Sequence, residues 1–127
     1  MRVAEISLPA IRHNVRTIRE RAGGAALIAV VKPNGDGHGA AAAAQAAVDA
    51  GAAIIGVADL EEALALRDAG VDAPVLCWLH GPGVDFAAGV AAGIEIGINN
   101  LTQLEALALA AEQAGRTASI HLKIDTG

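Results

Sequence analysis

Residues 25–39 read Ala-Ala-Leu-Ile-Ala-Val-Val-Lys-Pro-Asn-Gly-Asp-Gly-His-Gly, an apolar run that ends at Lys32 and continues into a glycine-rich loop. Such a run is typical of a strand buried on both faces, as in a parallel sheet. A lysine at the end of this strand has its amine beside a cleft and its stem in apolar surroundings, where desolvation disfavours the ammonium form. We therefore predict that Lys32 acts through a neutral amine, in a Schiff base or in proton transfer.

The loop after Lys32 contains three alternating glycines, Gly35, Gly37 and Gly39. Glycine lets backbone N–H groups approach an anion closely, so the loop is predicted to bind a phosphate. A lysine beside a phosphate site is the arrangement that holds pyridoxal 5'-phosphate, and we predict that cofactor. For His38, in the same loop, a structural hydrogen bond is favoured over a catalytic role.

Units of strand and helix repeat along the chain, with predicted strands ending near residues 32, 58, 79, 98 and 124. This alternation predicts a parallel sheet with right-handed crossovers. Two α/β folds fit: a five-stranded doubly wound sheet, and the first part of a (β/α)8 TIM barrel. A whole barrel needs more than about 200 residues. We predict that residues 1–127 are the truncated amino-terminal part of a barrel domain, with about five parallel strands in the consecutive order 1-2-3-4-5.

One motif favours the doubly wound alternative. Gly35-x-Gly37-x-x-Ala40 matches a dinucleotide-binding fingerprint between a strand and a helix, and Asp59 follows about 20 residues later. In that fingerprint the first glycine turns directly off the strand, whereas here three residues including Lys32 intervene. Asp59 also has a sufficient role as the cap of the third helix. A nucleotide-binding domain is therefore kept as an alternative of a different class.

In the last predicted strand, Ser119, His121 and Lys123 alternate with three aliphatic residues. Alternation places the polar side chains on one face of the strand. In a barrel that face points inward, which puts Lys123 near the catalytic mouth, across from Lys32. A structural alternative, in which the neighbouring Asp125 neutralises Lys123, fits the pattern equally well.

The composition excludes several classes of protein. Hydrophobic residues make up 54% of the 127 residues and aromatic residues only 2%, which predicts a globular domain with an aliphatic core. The net charge of −5 argues against a nucleic-acid partner. Cys77 is the only cysteine, so neither an intrachain disulfide nor a thiolate zinc cluster can form, and no metal site is predicted. The sequence shows no signal peptide and no apolar run long enough to span a membrane, which predicts a cytoplasmic protein.

Several segments resemble one known family. Ala29-Val30-Val31-Lys32 followed by Gly37-His38-Gly39-Ala40 resembles the cofactor-lysine motif of alanine racemases. Leu60-Glu61-Glu62-Ala63-Leu64 and His121-Leu122-Lys123-Ile124-Asp125-Thr126-Gly127 follow in the family's order and spacing. The resemblance covers essentially the whole chain, which looks like the amino-terminal third of such an enzyme. The stretch from Pro74 to Pro82 is most similar to the actinobacterial branch.

This resemblance implies an isomerase that depends on pyridoxal 5'-phosphate, interconverts L-alanine and D-alanine, and supplies D-alanine for cell-wall peptidoglycan. It also implies a carboxyl-terminal β domain and a homodimer. Lys32 would form the internal aldimine and act as acid or base on the D-alanine side, while Lys123 matches a cofactor-site lysine that is carbamylated in many members. The second base in the family is a tyrosine from the partner subunit, and this chain contains no tyrosine. The remaining cofactor ligands would lie beyond Gly127.

Asp36 departs from the family motif, which has a tyrosine at this position whose hydroxyl contacts the cofactor phosphate. An ionised aspartate cannot donate a hydrogen bond, and it repels a phosphate. Asp36 is therefore predicted to weaken cofactor binding. Alternatively, Asp36 turns away from the cofactor and caps the following helix.

A second alternative lies within the same cofactor class. The single-domain pyridoxal-phosphate homeostasis protein carries the cofactor on a related barrel without racemising amino acids. The Gly37-His38-Gly39 loop and the Lys-x-Asp-Thr-Gly ending favour the racemase.

Overall fold

The computed structural model describes residues 2–124 and 126–127, in which helices and strands alternate after an opening helix. The elements, in chain order, are α1 (Leu8–Arg21), β1 (Ile28–Val30), α2 (Ala40–Asp49), β2 (Ile54–Val57), α3 (Leu60–Asp68), β3 (Val75–Cys77), α4 (Phe86–Ala91), β4 (Glu95–Ile98), α5 (Leu101–Ala114) and β5 (Ile120–Leu122). The predicted series of β/α units is confirmed. Strand β4 ends at Ile98 as predicted, and the other four strands end one or two residues early, because an apolar run does not reveal where the neighbouring backbones stop pairing.

The strands form one parallel sheet in the order β1-β2-β3-β4-β5. This confirms the predicted consecutive order, and the doubly wound alternative, in which strand one lies inside the sheet, is wrong. Consecutive parallel strands with a helix between each pair are the repeating unit of a (β/α)8 barrel. The chain therefore forms part of a barrel, and β1 and β5 are the edges of its sheet in the described residues.

Local sequence signals position the helices. Ser7, Asp59 and Asn100 each accept a hydrogen bond from the backbone N–H three residues later, at 3.3, 2.9 and 2.9 Å. Each cap satisfies a backbone donor that has no partner inside its helix. The cap of α3 predicted at Asp59 is thereby confirmed, and Ser7 and Asn100 cap α1 and α5 in the same way.

The helices cover one face of the sheet, and the core lies between them. As the composition predicts, the largest fully buried side chains are aliphatic apart from Cys77; they include Ile55, Leu66, Ile96, Ile98 and Leu107. Cys77 is 0% exposed. Burial, together with the nearby negative charge of Asp59, raises the pKa of the Cys77 thiol from 9.0 to about 12. Cys77 is therefore an unreactive core residue, as predicted.

Strand β1 corrects one prediction. Ala29 and Val31 pack against the core, but Ile28 and Val30 are 39% and 53% exposed. The strand is thus buried on its helix-facing side only, and not on both faces. The reason is its position, since β1 lies at the edge of the sheet and its other side faces the open interior of a partial barrel.

Arg67, near the end of α3, joins the loops that lead into β3 and β4. Its Nη1 donates to the carbonyls of Val71 and Ala73 at 2.5 and 2.8 Å, and its Nε donates to the carbonyl of Ala92 at 3.2 Å. These loops lie at the amino ends of the strands, the end of a TIM barrel that contributes to stability rather than to catalysis. Arg67 therefore acts as a structural clamp.

Candidate active site at the carboxyl ends of the strands

The face of the sheet that the helices leave uncovered, here called the inner face, carries the candidate site. Side chains two residues apart in a strand share a face. Ile28 lies on the inner face of β1, because its Cγ2 is 3.2 Å from the point where a Cβ on Gly56 of β2 would project. Val30 and Lys32 continue the same row toward the carboxyl end. Lys32 therefore leaves the strand on the inner face.

Lys123 occupies the corresponding position at the other edge of the sheet. On β5, His121 pairs with Gly97, and Lys123 follows two residues later on the same face. The backbone N–H of Lys123 still donates to the ladder, to the carbonyl of Ile98 at 2.8 Å. Lys32 and Lys123 are the only lysines of the chain, and both lie at the carboxyl end of the inner face. Active sites of TIM barrels are built at this end.

Trp78 fills the inner face between the two edges. A Cβ on Gly56 would lie 2.7 Å from Trp78 Cη2, and one on Gly97 would lie 2.9 Å from Trp78 Cβ. Both glycines therefore make room for the Trp78 side chain on the inner face. The tryptophan gives this face an apolar surface between the two edge strands.

Lys32 itself is exposed, so this chain does not supply the apolar surroundings that the sequence predicted for its amine. The side chain borders a cavity of about 520 Å³ between α1 and the edge strand β1. Asp36 and His38 line the same cavity. The structure thus brings Lys32 and Asp36 to one cavity, while Lys123 lies at the opposite edge of the sheet.

The loop after Lys32 is held together by its own hydrogen bonds. Between residues 35 and 40, every backbone N–H except that of Asp36 donates within the loop or to the strand before it. Gly35 donates to the carbonyl of Val31 at 2.5 Å, and His38 donates to the carbonyl of Gly35 at 3.0 Å. Gly37 and Gly39 both donate to the carbonyl of Asn34, at 3.2 and 3.0 Å. Ala40 donates to the side chain of Asn34 at 3.0 Å. The prediction that the glycines free N–H groups for an anion is therefore wrong for the described loop.

The first backbone N–H of α2, whose N-cap residue is Gly39, is satisfied by Asn34 and not by Asp36. The Oδ1 atom of Asn34 accepts the 3.0 Å hydrogen bond from Ala40, so the capping alternative for Asp36 is wrong. Both residues have a left-handed backbone, with φ of 47° and 52°, which aspartate and asparagine tolerate better than most residues. Among the described residues, the Asp36 side chain has no hydrogen bond or ion pair, and it is exposed.

His38 has the structural role that the sequence favoured. Its Nδ1 lies 2.6 Å from the carbonyl oxygen of Gly35. Because a carbonyl only accepts, Nδ1 must carry the proton that is donated. His38 therefore tightens the loop.

On the opposite edge, Lys123 borders a second, shallower cavity of about 340 Å³ beside Trp78 and His121. His121 Nε2 donates to Glu95 Oε2 at 2.6 Å, which fixes the imidazole below Lys123. Asp125, the proposed neutralising partner of Lys123, lies outside the described residues. The catalytic and the structural interpretation of Lys123 both stay predictions.

His80, just after β3, is part of the framework of the site. Its Nε2 donates to the Gly97 carbonyl at 2.8 Å, and its ring meets Phe86 edge-to-face at 5.3 Å. Its Nδ1 is buried and has no hydrogen-bond partner in the described residues. Burial lowers the pKa of His80 below its usual 6.5, and the hydrogen bond to Gly97 and the charge of Asp59 oppose this effect. His80 is therefore held as a neutral imidazole.

The described residues offer no metal site and no membrane-spanning helix. In residues 2–124 and 126–127, no three His, Cys, Asp or Glu side chains come close enough together to bind a metal ion. No helix in this part of the chain has the length and apolarity required to cross a membrane. In the described residues, the titratable groups on the inner face include the amines of Lys32 and Lys123 and the His121–Glu95 pair.

Comparison with known proteins agrees with this geometry. A family model of the alanine racemase N-terminal domain matches residues 6–127. The chain belongs to this family. Alanine racemase of Mycobacterium avium is 53% identical over 124 residues, which are 98% of this chain and 32% of that protein. The enzyme of Mycolicibacterium smegmatis is 53% identical over 122 residues, which are 96% of this chain and 31% of that protein.

Solved racemase structures share the fold. Alanine racemase of Streptomyces lavendulae superposes with a TM-score of 0.93 and 48% identity, over 96% of this chain and 32% of that one. A histidine racemase from Leuconostoc mesenteroides subsp. sake superposes with a TM-score of 0.80 and 29% identity, over 96% of this chain and 33% of that one. The chain thus spans about a third of the length of these racemases.

Trp78 and Glu95 escaped the sequence-based prediction of the site. The signal for both is the period of two: Trp78, just after β3, follows Leu76 by two residues, and Glu95 of β4 precedes Gly97 by two. This parity places Trp78 and Glu95 on the inner face.

The lowered pKa of His80 predicts a pH dependence of stability. An unfolded histidine titrates near pH 6.5, and the folded one at lower pH. Between these values the unfolded state binds more protons, so the free energy of unfolding rises with pH. The contribution is complete above about pH 6.5 and is lost as the pH falls.

Urea unfolding between pH 5 and 8 measures this effect. A suitable protein is a hybrid, hereafter the hybrid. In it, this chain replaces the matching third of Mycobacterium avium alanine racemase, which supplies the remaining two thirds of a family member. His80→Gln should flatten the acid side of the stability profile, whereas His13→Gln, an exposed histidine on α1, should leave it unchanged. Equal profiles for the two variants would contradict the role of His80.

Proposed function

We propose that this chain is the amino-terminal part of the pyridoxal-phosphate-binding barrel domain of an alanine racemase, which interconverts L-alanine and D-alanine and supplies D-alanine for peptidoglycan. The observation that carries the proposal is the placement of both lysines, Lys32 and Lys123, at the carboxyl end of the inner face of a racemase-family barrel segment. The complete protein would act in the cytoplasm as a homodimer.

The residues of this chain fit the aldehyde end of the cofactor. The exposed amine of Lys32 lies at the mouth of a cavity, where it can bind an aldehyde. When bound, pyridoxal 5'-phosphate supplies an electron sink that makes the Cα proton of an amino acid acidic. Lys32 would hold the aldehyde of the cofactor. A free Lys32 amine would also be placed to move the Cα proton on the D-alanine side.

The chain does not supply every group that racemisation requires. Removing a proton from one side of Cα and adding one on the other needs a second acid or base, and the chain has no tyrosine. The inner face is also open at β1 and β5, so water reaches Lys32. We therefore assign the second base and most phosphate ligands to segments outside this chain, and a pure 127-residue chain should show no turnover.

Lys123 is proposed to act as a carbamate. The Lys123 ammonium would first lose a proton, and the neutral Nζ would then add to the carbon of CO2 and lose a second proton, so that a cation becomes an anion. That anion can orient an arginine through charge-assisted hydrogen bonds. Lys123→Ala should then lower kcat of the hybrid by about tenfold or more, since one such bond contributes about 1.5–3 kcal/mol.

Chemical rescue checks the carbamate. Acetate or propionate should partly restore kcat in bicarbonate-depleted Lys123→Ala hybrid, but not in the Lys123→Gln variant, whose amide fills the space. Unchanged activity in Lys123→Ala, or rescue of neither variant, would assign Lys123 a structural role.

Borohydride reduction tests the proposal for Lys32. In the hybrid loaded with pyridoxal 5'-phosphate, borohydride fixes the cofactor to the amine that holds it, and peptide mapping locates the label. The chain contributes only two lysines, so the assignment is simple. The label should appear on Lys32 and disappear in Lys32→Arg. A label found only on Lys123, or only in the Mycobacterium avium segment, would overturn the proposed function.

The amino acid itself needs a separate measurement. The solved histidine racemase has the same fold over this segment, so the fold alone does not select the side chain of the substrate. Identity to alanine racemases above 50% favours alanine. Racemisation of L-alanine and L-histidine by the hybrid, followed by chiral chromatography, compares the two.

A further inference from the structure

We propose that Asp36 weakens binding of the cofactor's phosphate group. A site with a neutral residue at position 36 would prefer pyridoxal 5'-phosphate over unphosphorylated pyridoxal more strongly than this site does. The inference rests on the proposed function of Lys32. It goes further, because it concerns which form of the cofactor the site prefers.

The chemistry of the cofactor places its phosphate close to Asp36. In pyridoxal 5'-phosphate, the aldehyde and the phosphate arm are on adjacent carbons of one small ring. A cofactor anchored on Lys32 therefore carries its phosphate within several ångströms of the lysine nitrogen. Asp36 is four residues from Lys32 and lines the same cavity.

The loop offers little to offset a negative charge. The N–H groups of Gly35, Gly37, His38, Gly39 and Ala40 are all used in hydrogen bonds within the loop or to β1. Only the N–H of Asp36 is left without an acceptor in the described residues. His38 uses its Nδ1–H for the carbonyl of Gly35. The phosphate-facing side of the loop thus combines one backbone donor with a full negative charge.

The carboxylate is also unneutralised. Among the described residues, Asp36 has no ion pair. When two unit charges are about 5 Å apart at an effective dielectric of about 20, their repulsion lowers the binding affinity more than tenfold. Solvent screening reduces the expected effect to about tenfold, which corresponds to about 1.4 kcal/mol.

Backbone conformation decides which variant tests the idea. Asp36 has φ of 52°, a conformation that asparagine adopts as readily as aspartate and that a bulky residue adopts at a cost. Asp36→Asn therefore removes the charge and keeps the loop. Asp36→Tyr adds a hydrogen-bond donor but strains the backbone. Its gain in cofactor affinity should therefore be smaller than expected from removal of the charge alone.

The experiment measures dissociation constants of pyridoxal 5'-phosphate and pyridoxal for the hybrid from the absorbance of lysine-bound cofactor. Asp36→Asn should tighten pyridoxal 5'-phosphate about tenfold and leave pyridoxal nearly unchanged. Asp36→Glu, which keeps the charge, should resemble the unmodified hybrid. Asp72→Asn removes an exposed charge before β3, at the opposite end of the sheet, and should change neither constant. Raising the salt concentration should reduce the difference between the unmodified hybrid and Asp36→Asn.

The outcomes separate this inference from the proposed function. If both compounds bind Lys32 but Asp36→Asn leaves their affinity ratio unchanged, the inference is overturned and the proposed function stands. An equal effect of Asp72→Asn would also overturn it, because net charge would then be the cause. If neither compound binds Lys32 in any variant, the proposed function fails, and the inference fails with it.

Discussion

Replacement of Lys32 by alanine should lower kcat for alanine racemisation in the hybrid by about 10⁴-fold or more. The substitution removes the amine that anchors the cofactor and, with it, an acid–base group, and positioned acid–base catalysis alone contributes up to about 10⁴-fold. The structure makes the loss specific, because the next lysine of the chain, Lys123, lies on the opposite edge strand and cannot substitute. Chiral chromatography of the alanine product measures the effect.

Two controls separate lost chemistry from lost structure. Arg16→Ala, on the exposed face of α1, should retain full activity. Added methylamine should restore part of the activity of Lys32→Ala, since a small amine can enter the exposed position that the side chain occupied. Retention of more than a tenth of the activity in Lys32→Ala would remove this residue from the mechanism.

Substitution of Arg67 by methionine should destabilise the hybrid by about 3 kcal/mol. Arg67 donates to four carbonyls of two loops, those of Val71, Ala73, Ala92 and Gly93. Each hydrogen bond from a charged donor contributes about 1.5–3 kcal/mol, part of which water recovers at this half-buried position. Methionine keeps the apolar stem, so the lost hydrogen bonds dominate. Urea unfolding followed by circular dichroism gives the change in free energy.

Arg16→Met is the matched control, because Arg16 is exposed and should contribute within about 0.5 kcal/mol. Arg67→Lys should fall between the two, since a lysine keeps the charge but cannot reach carbonyls of both loops at once. Equal stabilities of Arg67→Met and Arg16→Met would show that the clamp contributes nothing measurable.

Local sequence determined the order and type of the elements. Apolar runs separated by capped helices predicted the β/α series, and Ser7 and Asp59 were recognisable as caps because a cap depends on residues three positions apart. Alternation in the last strand correctly placed His121 and Lys123 on one face, because side-chain direction in a strand depends only on parity. The motif around Lys32 likewise predicted the family.

Only the tertiary structure decided how the site residues are surrounded. The exposure of Lys32 depends on β1 being an edge strand, the use of the loop N–H groups depends on how the chain turns back on Asn34, and the fit of Trp78 depends on glycines of two other strands. These properties arise from groups distant in sequence or from backbone angles that several residue types can adopt. A sequence pattern predicts which side chains share a face, because that depends on spacing along the chain. Burial and hydrogen bonding depend on which segments pack together in the folded protein.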